Sequence, residues 1–537
     1  EGLLLGSPTI LAEALKPVWD LTTCLYSPIH KGKLASAFGS YGWSGEAVPH
    51  LVERLRQLRM NVPDEGFRVR FKPGESDRVS AYEYGYGFGC LLLKRENDHA
   101  APKKPARRLV KCLVCGEIFD ASLEVCPVCG VGKENFVPVE EAEVSGAKNT
   151  DRRFLILGGG AAALNAARAI RERDATCSIV LLTEEDVLPY NRPMLTKALA
   201  AGLSAGQLAM ESADWFEQQR IYVLTSKKVV TADSKAKQIV CEDGTTLLYD
   251  KLIYALGARC FVPPIEGHDL PHVVAIRSIR DAEKVRALAE GTENAVVIGG
   301  GVLGLEAAWE LKRLGLNVTV LEAAPQIMGR QLDPMTARLL TEKAEAKGIA
   351  LFTGVAIASI TDSAVTLKDG TSFPAGLVVV SAGVRANVDA ARQLGLTLDR
   401  AVVVDEGMRT NLPDVFACGD CAELQGVNYA LWSEAVEQGK TAGANAAGDD
   451  LRCGQSDGAV TLNALETGLY AQGDLGKGEG AAYRTVEMRD DQRGSFAKYW
   501  FKNGRLCGVS LLGDVKDMAR LSQLLKDGAD FAAVMGK

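Results

Sequence analysis

The stretch Arg153-Phe-Leu-Ile-Leu-Gly-Gly-Gly-Ala-Ala-Ala163 decides the fold of most of the chain. Four apolar residues in succession fit a strand buried on both faces of a parallel sheet. Gly158-x-Gly160-x-x-Ala163 follows at once, and Ala161 to Arg173 then reads as a helix. In such a turn Gly158 permits the tight bend, Gly160 lets a pyrophosphate approach the backbone, and the helix N-terminus attracts the phosphate charge. The next strand, Ser178-Ile-Val-Leu-Leu182, ends near Glu184-Glu185, placed to accept hydrogen bonds from ribose hydroxyls. Far downstream, Val415-Phe-Ala-Cys-Gly-Asp-Cys421 is an apolar strand ending in Gly419-Asp420, where an aspartate can bond the ribityl chain of FAD.

The pattern occurs a second time. Ala295-Val-Val-Ile298 leads into Gly299-x-Gly301-x-x-Gly304, a helix through Leu314, and the strand Val318-Thr-Val-Leu-Glu322. A carboxylate at the end of that strand holds a ribose 2′-hydroxyl and repels a 2′-phosphate, so Glu322 argues for NADH over NADPH. Arg330 lies close enough in sequence to soften the preference. One glycine fingerprint alone is often only a tight turn. Two of them, each preceded by a strand, followed by a helix and supplied with acidic partners, point to two dinucleotides.

Composition sets the outer limits. The 537 residues allow about three to four domains. Hydrophobic residues at 47% and charged residues at 24% are ordinary for a globular chain. A net charge of -7 gives no basic footprint for nucleic acid or anionic lipid. No apolar run reaches the roughly 18 residues of a spanning helix. With neither a basic leader nor a disulfide-like pattern among the thirteen cysteines, a reducing, cytoplasmic setting is expected. The five histidines (His30, His50, His99, His268 and His272) form no metal-ligand cluster.

Upstream of the reductase-like part, Cys112-x-x-Cys115-Gly and Cys126-x-x-Cys129-Gly form two knuckles ten residues apart. Each places two thiolates on one turn, and together they build a tetrahedral S₄ cage suited to iron or zinc. Lys111-Cys-Leu-Val-Cys-Gly-Glu-Ile-Phe119 and Cys126-Pro-Val-Cys-Gly with Phe136 resemble rubredoxin in its short-spaced form. That resemblance implies one iron in four thiolates, a one-electron carrier. Cys418-Gly-Asp-Cys421 is the other Cys-x-x-Cys of the reductase part, read as small residues tolerated around Asp420.

The paired fingerprints resemble the two-dinucleotide fold of pyridine-nucleotide-dependent flavoprotein reductases. Leu188-Pro-Tyr-Asn-Arg-Pro-Met-Leu-Thr-Lys197 and Trp432-x-x-Ala-x-x-x-Gly439 look like the NADH:rubredoxin oxidoreductase family. That resemblance covers about Arg152 to the C-terminus. It implies that Arg192 and Lys197 contact FAD, that Val229 holds the adenine side, that Arg259 lies near the flavin and that Trp432 lines its cavity.

At the start of the chain, Gly6-Ser-Pro-Thr9 and Gly39-Ser-Tyr-Gly-Trp-Ser-Gly45 resemble the second and third FMN loops of the flavodoxin-like domain in flavodiiron proteins. The resemblance implies FMN against Ser7, Thr9, Ser40, Tyr41, Gly42 and Trp43. The alternative is a pair of ordinary strand-to-helix loops. The family's first strand and phosphate loop are not in the sequence, so a partial flavodoxin-like parallel sheet and a fragment of a longer protein are expected.

The sequence therefore predicts a multidomain α/β chain: a partial flavodoxin-like domain over 1–94, a linker over 95–107 and a rubredoxin-like ribbon over 108–140. A second linker over 141–151 precedes an FAD/NAD(P)-binding reductase over 152–450, its NAD part about 269–385, and an α+β domain over 451–537. The expected activity is an oxidoreductase passing electrons from NADH to FAD to iron. FMN and a diiron site reducing O₂ or NO would follow in the intact protein, by family resemblance. Expected partners are NADH and an electron-accepting domain or protein such as the flavodiiron core, with no nucleic acid and no membrane; a homo-oligomer is left open. Two rivals rank below this: an FAD-dependent disulfide or peroxide reductase with a structural zinc ribbon, and a non-enzymatic redox-sensing module.

Overall fold

The computed structural model describes residues 2–10, 13–41, 46–70, 75–95, 109–112, 118–120, 124, 126, 132–139, 148–454, 458–478 and 480–536. The chain divides into two compact units. One comprises Glu1–Val110, Phe119–Glu124 and Pro138–Glu140; the other Lys111–Ile118, Val125–Val137 and Glu141–Lys537.

In the larger unit, Arg153–Leu157 is the middle strand of a five-stranded parallel sheet. The order is Ile221–Leu224, Ser178–Leu182, Arg153–Leu157, Lys251–Tyr254, Val415–Ala417. Phe154 to Leu157 are buried, as an unbroken apolar run requires when helices cover both faces of a sheet. The second fingerprint builds a second parallel sheet, ordered Val273–Val274, Leu377–Val380, Asn294–Ile298, Asn317–Glu322, Ile349–Thr353. In both sheets the glycine loop lies at the carboxyl end of a central strand, where open parallel sheets bind ligands.

The helix Trp432–Ala446 packs along Ala161–Arg173, and small residues make this possible. A Cβ on Gly439 would lie 2.3 Å from Ala162 O, and one on Gly443 would lie 2.3 Å from Ala166 O. This close approach sets the Trp432 helix against the start of the helix that follows the Gly158–Gly160 loop. The Asn503-Gly504 hairpin read from sequence is present: Ser495–Lys502 and Arg505–Gly513 pair antiparallel in a five-stranded C-terminal sheet.

In the smaller unit, Gly2–Gly6, Leu34–Tyr41 and Phe67–Arg70 form a three-stranded parallel sheet. Helix Ala47–Gln57 covers it with Val48, Leu51, Val52 and Leu55. A further helix, Glu75–Leu93, was not read from the sequence. Among the described residues no helix is long and apolar enough to cross a membrane.

Candidate functional site

The carboxyl ends of both parallel sheets open into one cleft of about 2720 Å³. A single small-molecule pocket occupies about 300–1000 Å³, so this cleft has room for two dinucleotides. Of the residues expected to bind or adjoin FAD, Gly158, Gly160, Glu184, Glu185, Arg192, Lys197, Val229, Arg259, Gly419, Asp420 and Trp432 line it, and of those expected to bind NAD, Gly299, Gly301 and Glu322 do. Ala163 and Gly304 sit behind the loops. Ala163 is fully buried, and a Cβ on Gly304 would lie 2.0 Å from Gly299 O.

The two loops are built alike. Gly158 has φ +124° and Gly299 φ +112°, and a Cβ on either would lie 2.0 Å from Ala255 O or 2.2 Å from Ser381 O. Gly160 and Gly301 cap the following helices in extended backbone, with nothing within 4 Å of an added Cβ. Each loop thus leaves open space in front of a helix N-terminus, a cradle that fits a pyrophosphate.

Glu322 ends its strand with its carboxylate fixed. Oε2 accepts from Gly300 N at 2.6 Å and Oε1 from Ala324 N at 2.7 Å. It lines the cleft.

The acidic pair Glu184-Glu185 is arranged differently from the sequence expectation. Glu185 accepts from Arg192 Nη2 and, at 2.7 Å, from Tyr190 Oη. Arg192 also donates to Arg277 O at 2.7 Å and stacks over the Tyr190 ring at 4.9 Å. In this structure Glu185 therefore fixes Arg192, while Glu184 also lines the cleft. Burial pushes the Tyr190 phenol above its ordinary range, so it stays a hydrogen-bond donor. Asp420 is held by Arg277 at 2.8 Å, a partner 143 residues away that sequence reading did not find.

Lys197 lies within electrostatic reach of Glu306, a buried carboxylate accepting from Thr196 Oγ1 at 2.9 Å. Burial raises the Glu306 acid, which Lys197 partly offsets. Glu306 also lines the cleft and was missed. Its signal was an acid on the buried face of the helix Val302–Arg313, followed four residues on by a second, Glu310. Arg259 is exposed and reaches Asn387 Oδ1 at 3.3 Å and Asp389 at 3.5 Å. Val229 is partly buried at the start of a strand. Trp432 presents a buried indole Nε1–H with no hydrogen-bond partner, a donor suited to a ligand atom in the cleft.

Cys418 and Cys421 are both fully buried. Burial drives the Cys418 thiol well above its ordinary value and the Cys421 thiol up to about 12, so neither is a ready nucleophile. Cys112 and Cys126 are buried as well; Cys115 and Cys129 fall outside the described residues. Among the described residues no cluster of three metal-ligating side chains occurs. Gly132, Glu134 and Asn135, which follow the second knuckle in sequence, line the same cleft.

In the smaller unit, Ser7 is buried with its hydroxyl engaged locally, donating to Pro8 O and accepting from Leu15 N, both at 2.9 Å. Thr9 Oγ1 accepts from Ala47 N at 3.4 Å. Ser40 and Tyr41 end the strand Leu34–Tyr41, and Gly42 and Trp43 lie outside the described residues. Of the proposed FMN contacts, the Ser7 hydroxyl is thus already spent.

The family model described as pyridine nucleotide-disulphide oxidoreductase matches residues 152–439, more than half of the chain. The chain belongs to that family. It is an oxidoreductase, and family membership supports FAD and NADH as its cofactors. The rubredoxin NAD+ reductase C-terminal domain matches residues 459–529 of this pyridine nucleotide-disulphide oxidoreductase. The assimilatory nitrate reductase electron transfer subunit of Bacillus subtilis (strain 168) is 32% identical over 384 residues, 70% of this chain and 49% of that protein. The chain spans about half the length of that relative. A rubredoxin-NAD(+) reductase of Pseudomonas putida is 33% identical over 275 residues, 50% of this chain and 71% of that protein. Among solved structures, NADH:rubredoxin oxidoreductase from Clostridium acetobutylicum aligns with TM-score 0.61 and 26% identity over 71% of this chain and 97% of its own.

Proposed function

We propose that the chain is an NADH-dependent electron-transfer oxidoreductase that delivers electrons to an iron held by Cys112, Cys115, Cys126 and Cys129. From there they would pass to an FMN- and diiron-containing flavodiiron acceptor of O₂ or NO. Bound FAD supplies acceptance of a hydride from NADH and release of its electrons one at a time, and a tetrathiolate iron supplies single-electron relay. The domain boundaries read from the sequence belong to the same proposal.

The chain's residues divide the labour. Gly160 and Gly301 would bring backbone N–H groups to the two pyrophosphates, and Glu322 would hold the NADH ribose. The Glu185–Tyr190–Arg192–Arg277 cluster fixes one wall of the cleft, and through Arg277 it holds Asp420, which would bond the ribityl chain. Trp432 offers its unpaired N–H to the flavin cavity. No side-chain acid or base is required for hydride transfer; orientation and exclusion of water suffice.

The observation that carries the reading is that Gly132, Glu134 and Asn135, which begin three residues past Cys129, line the same cleft as Trp432 and Asp420. The donor set fits the metal, since Cys112 and Cys126 are soft ligands in buried positions. The names of the Pseudomonas and Clostridium relatives add weight. Burial of Cys418 and Cys421 counts against the disulfide-reductase rival. Metal analysis tests the proposal: one iron per chain is expected, lost in Cys126→Ser with flavin retained. Zinc alone, from cells supplied with iron, would overturn it.

A further inference from the structure

We infer that Glu437, on the helix that carries Trp432, is the ionic latch holding the residues that flank the knuckles, Lys111 and Gly132–Val137, beside the cleft, with Lys111 as its counterpart. The inference rests on the proposed electron path, which it deepens by naming the residues that position the relay. Lys111 immediately precedes the first ligand, Cys112, and its Nζ lies 3.0 Å from Glu437 Oε1. Lys440, on the same helix, reaches that oxygen at 3.9 Å, so Lys111 makes the shorter pair. Glu437 stands five residues beyond Trp432, and the helix is pinned by the close contacts of Gly439 and Gly443. One rigid element therefore carries both the latch and the indole in the cleft.

A second contact fixes the other end of the segment. The turn Lys133–Asn135 packs against helix Met518–Lys526 of the C-terminal part. Asn135 is 4% exposed, with its Nδ2 held by Gly132 O at 3.2 Å and Glu134 Oε1 at 3.1 Å; its Oδ1 is buried without a partner beside the cleft. Lys111 and Asn135 thus flank the knuckles in sequence, the first through its ion pair and the second within a turn packed on helix Met518–Lys526. Neither residue touches substrate in this scheme; both are positioning residues.

Lys111 and Glu437 keep 28% and 38% of their side-chain surface, so water and salt weaken the pair. The test is hydrogen exchange across 132–137 in the full-length oxidised protein. Lys111→Glu and Glu437→Lys should each speed exchange about two- to fivefold, and the double exchange of charges should restore it. Glu437→Gln, which removes charge without reversing it, keeps the test usable if a reversed charge misfolds. Added salt should speed exchange in the parent protein and not in Glu437→Gln. Unchanged exchange in every single variant, or no recovery in the double, would overturn the latch. This readout does not depend on which metal fills the thiolates. A zinc-only protein that still shows the charge-swap rescue would remove the electron path and leave the latch standing.

Discussion

Replacing Glu322 by alanine should reverse much of the chain's discrimination between NADH and NADPH. The carboxylate is fixed by Gly300 N at 2.6 Å and Ala324 N at 2.7 Å, so it would meet a ribose in its proposed role without first having to be ordered. A hydrogen bond to a charged group contributes about 1.5–3 kcal/mol, which at about 1.4 kcal/mol per decade is roughly a 10- to 150-fold loss in kcat/KM for NADH. For NADPH the same change removes a negative charge facing the 2′-phosphate, and Arg330 also lines the cleft. Its kcat/KM should therefore hold or rise. Glu322→Gln separates the two effects, because it keeps an oxygen acceptor and loses the repulsion. The assay is dye reduction with each nucleotide, normalised to bound flavin so that a folding defect is not read as selectivity. A selectivity ratio unchanged in both variants would refute the role assigned to Glu322.

Gly158→Ala should lose FAD and lower the thermal midpoint, because φ of +124° and a 2.0 Å approach to Ala255 O leave no place for a methyl group; the strain costs about 1–3 kcal/mol or more, read by flavin content and melting. Cys418 and Cys421 should resist iodoacetamide at pH 8 in the folded protein and react only on unfolding, because only the thiolate attacks; rapid labelling detected by mass spectrometry would contradict their burial. Asp250 is held down to about 2 by its hydrogen bonds to Arg153, below its ordinary value of 3.8. The stabilisation is therefore complete above pH about 4 and lost as pH falls toward 2. With side chains 48% and 40% exposed, solvent screens the pair to about 1 kcal/mol or less. Asp250→Asn should flatten that part of the acid-melting curve.

The fingerprints were legible because local sequence dictates them. An apolar run entering Gly158 or Gly299 leaves little alternative to a buried strand, a left-handed turn and a helix. The Asn503-Gly504 hairpin was legible for the same reason. Side chains whose partners come from distant strands were not. Glu185 looks free for ribose in the sequence, yet the fold supplies Arg192 and Tyr190 to hold it. Arg277 reaches Asp420 only once both parallel sheets are assembled. Helix Glu75–Leu93 was hidden by Gly85, Gly87 and Gly89, each of which costs about 1 kcal/mol in a helix and reads as a breaker. The place of Gly132, Glu134 and Asn135 on the cleft depends on tertiary packing alone.

Anaerobic titration of the purified chain with NADH, followed by absorbance, tests the electron path most directly. Both the flavin bands and the ferric-thiolate bands should bleach, with about three electrons accepted per chain carrying one FAD and one iron. Bleaching of the flavin alone, at two electrons per chain and with thiolate bands absent or untouched, would contradict it.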